Sequence, residues 1–203
     1  MNAEILANGL LILCALFLAG RCYKLGEAHD HTPSMVVSLS AIFIACSAAG
    51  NSLLQDTNQD TETLKRMLDN LAFFAAIPLI ASAMVDNAWQ FNWSKAAWGR
   101  WLLALFALFE LCRRSEIGTE YSQIMSVLCA LAIMVSAARL TCIISKLATC
   151  LAAMTFAASL LIFSPTSLIT EQSNPALFAL GLSISLLLIY PALSTGSARK
   201  QGR

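Results

Sequence analysis

Seven long stretches of this chain carry almost no charge, and no other feature restricts its fold as strongly. A helix needs roughly 20 mostly apolar residues to cross about 30 Å of hydrocarbon. The stretches lie at about 5–20, 35–54, 68–88, 97–112, 121–138, 142–163 and 175–193, and they use most of the 203 residues. Charged residues make up 12% of the chain, against about 25% in a soluble domain. The remaining loops are too short to hold a soluble domain. The sequence therefore predicts a single all-α domain over residues 1–203, a polytopic transmembrane helix bundle of seven spans.

Local residues set several boundaries. The first stretch has the apolar core of a signal peptide, but residues 1–4 contain no Lys or Arg. Arg21 also spoils the box that would precede a lipidated Cys22, so the stretch reads as a retained helix. Residues 121–163 are too long for one crossing, and Ala137-Ala138-Arg139-Leu140-Thr141 supplies the turn. Pro78 removes a backbone hydrogen bond inside the third span and predicts a kink there.

The cations divide unequally between the two sides. Loops after spans one, three and five, with the C-terminal tail, hold nine: Arg21, Lys24, Lys95, Arg100, Arg139, Lys146, Arg199, Lys200 and Arg203. The other side holds Lys65, Arg66, Arg113 and Arg114. Short loops rich in Lys and Arg stay cytoplasmic, so the N-terminus is expected outside and the C-terminus in the cytoplasm. Asp56, Asp60, Glu62, Asp69, Glu116, Glu120 and Glu171 fall on the outer side in that arrangement. The expected location is the cell membrane, the bacterial inner membrane in particular.

Polar groups placed in lipid are costly and point first to function. Asp86 and Asn87 end span three, while Arg100, Arg139 and Lys146 lie at a similar depth, so this mixed-charge cluster could hold an ion or an anionic head group. The competing reading is ordinary snorkelling of helix-end charges. Glu110 precedes Arg113 and Arg114 by three and four residues, which predicts a local ion pair, with a cation site as the alternative. Asn51 and Asn70 are placed to bridge helices at the outer ends of spans two and three. Trp89, Trp93, Trp98 and Trp101 read as an interfacial aromatic belt, or else as a binding platform. His29 and His31 could begin a metal site in the first loop, but no further ligands are evident.

Small residues at every fourth position (Ala41, Ala45, Ala49; Thr149, Ala153, Ala157; Gly181, Ser185) predict close helix packing, within the bundle or at an oligomer face. The seven cysteines show no CxxC and sit mainly in apolar runs, which argues against a disulfide framework. No basic cluster with interleaved aromatics suggests nucleic acid as a partner. No span contains a His, the last span has no Lys, and neither GxSxG nor HExxH occurs, so no cofactor or catalytic constellation is implied. The layout resembles rhodopsins, seven-helix receptors and small three-plus-one-plus-three transporters in topology alone. The leading expectation is a non-catalytic subunit or scaffold of a larger membrane assembly, with a protein partner or a second copy besides the bilayer. The alternative is a small permease or channel with the polar cluster at its cytoplasmic mouth. A lipid-modifying enzyme is the weaker third.

Overall fold

A computed structural model describes residues 2–54, 58–114, 118–164 and 173–201, and every element among them is a helix. Helices α1 (Asn2–His29) and α2 (Thr32–Leu53) form an antiparallel hairpin. The corner follows from three residues. Asp30 adopts a left-handed conformation (φ 43°), and the His31 N–H donates to the Gly26 carbonyl at 3.0 Å. That bond satisfies one carbonyl of the last turn of α1. Pro33 then sits in the first turn of α2, where no backbone N–H is required.

Helices α3 (Gln59–Leu71) and α4 (Ile77–Trp89) form one continuous rod, joined by a π-helical turn at Ala72–Ala76. Pro78 offers no N–H to the Phe74 carbonyl, and its ring crowds that oxygen. Sequence predicts a kink at Pro78, and the structure places this widened turn immediately before it. Left-handed Gln90 (φ 55°) closes α4, its N–H bonding the Asp86 carbonyl at 2.6 Å.

Helix α5 (Lys95–Arg114) starts beneath a Ser94 cap, whose Oγ accepts from the Ala97 N–H at 3.2 Å. It runs back along α4. Trp101 Nε1 donates to Ser82 Oγ at 3.2 Å, and Phe109 stacks on Phe74 with ring centroids 4.0 Å apart. Both intervals are eight residues, about 12 Å of helix. Helix α6 (Gly118–Arg139) then runs parallel to α4, with Tyr121 beside Phe74 and Arg139 over the Trp89 ring. Helix α7 (Ile143–Ala158) begins at the predicted turn and ends in a second π segment, Ser159–Phe163. Helix α8 (Pro175–Gln201) opens on Pro175 under Asn174, whose Oδ1 accepts from the N–H groups of Ala176 and Leu177.

Six of these rods are long and apolar enough to cross a membrane: Ala3–His29, Thr32–Leu53, Gln59–Trp89, Glu120–Arg139, Ile143–Phe163 and Pro175–Ser197. The predicted fourth span is not among them. Lys95, Arg100, Glu110, Arg113 and Arg114 leave α5 without a long uncharged window. Several elements also outrun the predicted spans. The first begins at Asn2 and reaches His29, and the last extends past Leu193. Helical backbone continues wherever its bonds are satisfied, beyond the apolar residues that mark the hydrocarbon.

Helix α8 packs on α1, α4 and α7, so its Leu182, Leu186, Ile189 and Leu193 are fully or nearly buried. Most of the small-residue stripes pack here, with Ala49, Ala157 and Gly181 half-buried. Ala41, Ala45, Thr149, Ala153 and Ser185 are buried inside the bundle. A Cβ on Gly181 would overlap Ser159 Oγ, which lets α8 approach the π segment of α7 closely. Many Ser and Thr hydroxyls bond their own helix, as Ser40 does to the Val36 carbonyl at 2.9 Å and Thr149 to that of Ser145 at 2.7 Å.

Asp56, Glu116, Glu171 and Arg203 lie outside the described residues, as do the side chains of Arg113, Arg199 and Lys200.

Candidate functional site

The two ends of the bundle differ in what they gather. At one end meet the α1–α2 corner, the α4–α5 loop, the α6–α7 turn and the last turns of α8. Lys95 Nζ lies 3.5 Å from Asp30 Oδ1, an exposed pair that carries little energy. The expected mixed-charge cluster sits at this end but is dispersed. Asp86 and Asn87 are buried, whereas Arg100 and Arg139 are exposed and Lys146 is half-buried. The Arg139 guanidinium lies 5.4 Å from the centre of the Trp89 ring. Asn87 Nδ2 donates to the Ala192 carbonyl of α8 at 3.0 Å, and Ser145 Oγ on α7 donates to the adjacent Pro191 carbonyl at 3.2 Å. These contacts tie three helices together.

The tryptophans split as well. Trp93 lies 5.2 Å from Trp98 and 6.3 Å from Trp101 by ring centroids, but Trp98 is only 5% exposed. Its indole N–H is buried with no hydrogen-bond partner among the described residues. That differs from an interfacial belt, in which each N–H stays wet. Trp93, Arg100 and Trp101 line an open groove of about 390 Å³ with Ala97 and Ala104. Glu110 forms the expected local pair, Oε1 accepting from Arg114 Nε at 3.0 Å. His31 is buried and its Nδ1 lies 2.7 Å from Ser34 Oγ. No group of three His, Cys, Asp or Glu side chains that could hold a metal exists among the described residues.

The other end holds the larger cavity, about 460 Å³, between α1, α2, the α3–α4 rod and the start of α8. Its polar lining comprises Glu4, Asn8, Ser47, Asn51, Lys65, Asp69 and Asn70. Asp69 Oδ1 accepts from Ser47 Oγ at 2.6 Å and from Asn51 Nδ2 at 2.9 Å, so two residues of α2 fix a carboxylate of α3. Asn51 thus bridges helices as its position predicts. Asn8 is nine-tenths buried and finds no hydrogen-bond partner among the described residues. Neither Asp86 nor Lys146 lines either cavity. The polar cavity of about 460 Å³ therefore lies opposite the end where the charge pattern draws attention. The signal that could have found it is Asn8, a carboxamide inside the first apolar stretch, together with the Ser47–Asn51 pair one turn apart in the second.

No protein-family model, curated protein or solved structure matches the chain.

Proposed function

We propose that this chain is a small-solute-binding membrane protein of the permease class, with its site in the cavity around Asp69. One observation carries the reading. A carboxylate oriented by two donors from a neighbouring helix faces a cavity of ligand size, into which a buried carboxamide also opens without a partner. Ligand sites typically combine 300–1,000 Å³ of largely apolar wall with a few fixed polar groups. The subunit reading rests on compactness, small-residue faces and missing catalytic groups, and most of those faces (Ala41, Ala45, Thr149, Ala153, Ser185) are buried within the chain, with Ala49, Ala157 and Gly181 half-buried.

We further infer seven crossings, with the N-terminus outside and the C-terminus cytoplasmic. Helices α4 and α6 run parallel, so the segment joining them must traverse the bundle, and α5 lies along α4 in register. Its charges cluster at its two ends apart from Arg100, which is one and a half turns in and exposed. The nine-to-four division of cations then puts the Asp69 cavity on the outer face. The membrane in this reading is the bacterial inner membrane.

The test is equilibration of the purified protein in nanodiscs with a polar metabolite extract, comparing wild type with Asp69→Asn. Small molecules enriched only by the wild type support the reading. Absence of any Asp69-dependent enrichment refutes it, and a stoichiometric co-purifying protein would restore the subunit alternative.

A further inference from the structure

The Asp69 cavity is graded from mouth to floor, and each helix repeats the grading. On α1 the lining residues are Glu4, Asn8 and Leu11, one below the other at helical spacing. On α2 they run from Asn51 through Ser47 to Ile44. On the α3–α4 rod Lys65, Asp69, Phe73 and Ile77 follow one another at four-residue spacing, with Asn70, Ala72 and Phe74 beside them. On α8, Pro175 gives way to Phe178 and Leu182. Charge therefore stands at the rim, one carboxylate with amides and a hydroxyl at mid-depth, and apolar and aromatic side chains at the bottom.

The middle layer has a definite chemical demand. Both described hydrogen bonds to the Asp69 carboxylate fall on Oδ1, and both come from donors on α2. Oδ2 accepts none among the described residues. The Asn8 side chain adds an unengaged carbonyl oxygen at the same depth. What these two acceptors lack is a donor, preferably a charged one, because hydrogen bonds to an ionised group are the stronger kind. The floor lacks an apolar body. Phe73 and Phe178 add aromatic surface for such a body.

Resting on the solute-binding reading above, we propose that the cavity takes a primary ammonium carrying an apolar body, with the nitrogen at Asp69 and the body toward Phe73 and Leu182. A free amphipathic amine and the ethanolamine head group of a phospholipid share this chemistry. Lys65 lines the same cavity one turn from Asp69, and its like charge opposes the cation and does not contribute to holding it.

Calorimetric titration of the full chain in phosphatidylglycerol nanodiscs tests the assignment, with phenylethylamine, phenylacetate and phenylalanine as probes. Phenylethylamine should bind, and phenylacetate should not. Asp69→Asn should weaken phenylethylamine about 10- to 100-fold, the range expected for losing a hydrogen bond to a charged group. Asn8→Leu should weaken it less, and Lys65→Gln should leave it unchanged or tighter. Thermal unfolding of each variant separates loss of the site from loss of the fold, and Asp69→Glu should retain measurable affinity.

Equal binding by wild type and Asp69→Asn, or preference for phenylacetate, overturns the proposal. If phenylethylamine fails while the metabolite comparison still yields an Asp69-dependent solute of another charge, the ammonium assignment falls and the solute-binding reading stands. Repeating the titration with phosphatidylethanolamine in the disc distinguishes the two sources. Competition that weakens phenylethylamine at least tenfold identifies the lipid head group as the occupant, and no competition identifies a free amine.

Discussion

Asn87 and Gly196 meet where α4 crosses the end of α8. The Asn87 carboxamide donates to the Ala192 carbonyl at 3.0 Å and occupies the space that a Cβ at position 196 would need. An amide buried at a helix crossing is stable only when the facing helix leaves room for it, and glycine does so here. Gly196→Ala should destabilise the fold by about 1–3 kcal/mol, the usual cost of overpacking. Asn87→Ala should cost about 1 kcal/mol, as for interhelical hydrogen bonds in membranes. The double variant should cost less than the two singles combined, because truncating Asn87 removes the atoms that the new methyl meets. Unfolding equilibria in mixed micelles measure all three, and strict additivity would break the link between the residues.

A second close approach makes an independent case at Gly181. Gly181→Ala should destabilise the bundle because its Cβ overlaps Ser159 Oγ. Removing that hydroxyl leaves the Ser159 Cβ as the nearest Ser159 atom at 3.4 Å, an ordinary contact. Ser159→Ala should therefore rescue most of the loss, its own cost being only the bond from Ser159 Oγ to the Thr155 carbonyl of the same helix. Failure of the rescue would mean that the α7–α8 spacing is set elsewhere.

Cys142 caps the N-terminus of α7 and is exposed. The exposed backbone N–H groups of Ser145 and Ile144 in the first turn of α7 favour the thiolate and lower its thiol pKa below the usual 9.0. Because the thiolate is the reactive form, alkylation should rise with pH through a midpoint below that of a free thiol. In inside-out vesicles an impermeant maleimide should label Cys142, and in intact cells it should not. Labelling from outside would invert the proposed orientation.

What could be read from the sequence and what could not divide along a physical line. The α6–α7 turn at Arg139, the Glu110–Arg114 pair and the start of α8 at Pro175 depend on residues close in sequence, so local spacing reveals them. The Asp69 cavity depends on four rods arriving at one depth with particular faces inward. Each contributor taken alone is an unremarkable helix-end residue, and Asp69 figures in the charge pattern only as one of the outer acids. The relative rotation of α3 and α4 is also set by the π turn at Ala72–Ala76, which composition does not announce. Trp98 shows the same limit, since its burial is decided by its neighbours and not by its preference for the headgroup layer.

The proposed crossing by α5 rests on geometry against composition. Its charges keep it from meeting the length and apolarity that the other six rods satisfy, yet Trp101 at Ser82 and Phe109 at Phe74 hold it along α4 through the same depth. A helix lying flat on the surface would contact α4 at one level only. Single cysteines at Lys95 and Arg114, in a chain whose seven native cysteines are replaced, should therefore label from opposite sides. Lys95→Cys should react only in inside-out vesicles and Arg114→Cys only in intact cells. Reaction of both from one side would reduce the crossings to six and exchange the sides of α6, α7 and α8. That exchange is hard to reconcile with α6 running parallel to α4, because their like ends, Tyr121 with Phe74 and Arg139 with Trp89, would then lie on opposite faces of the bilayer.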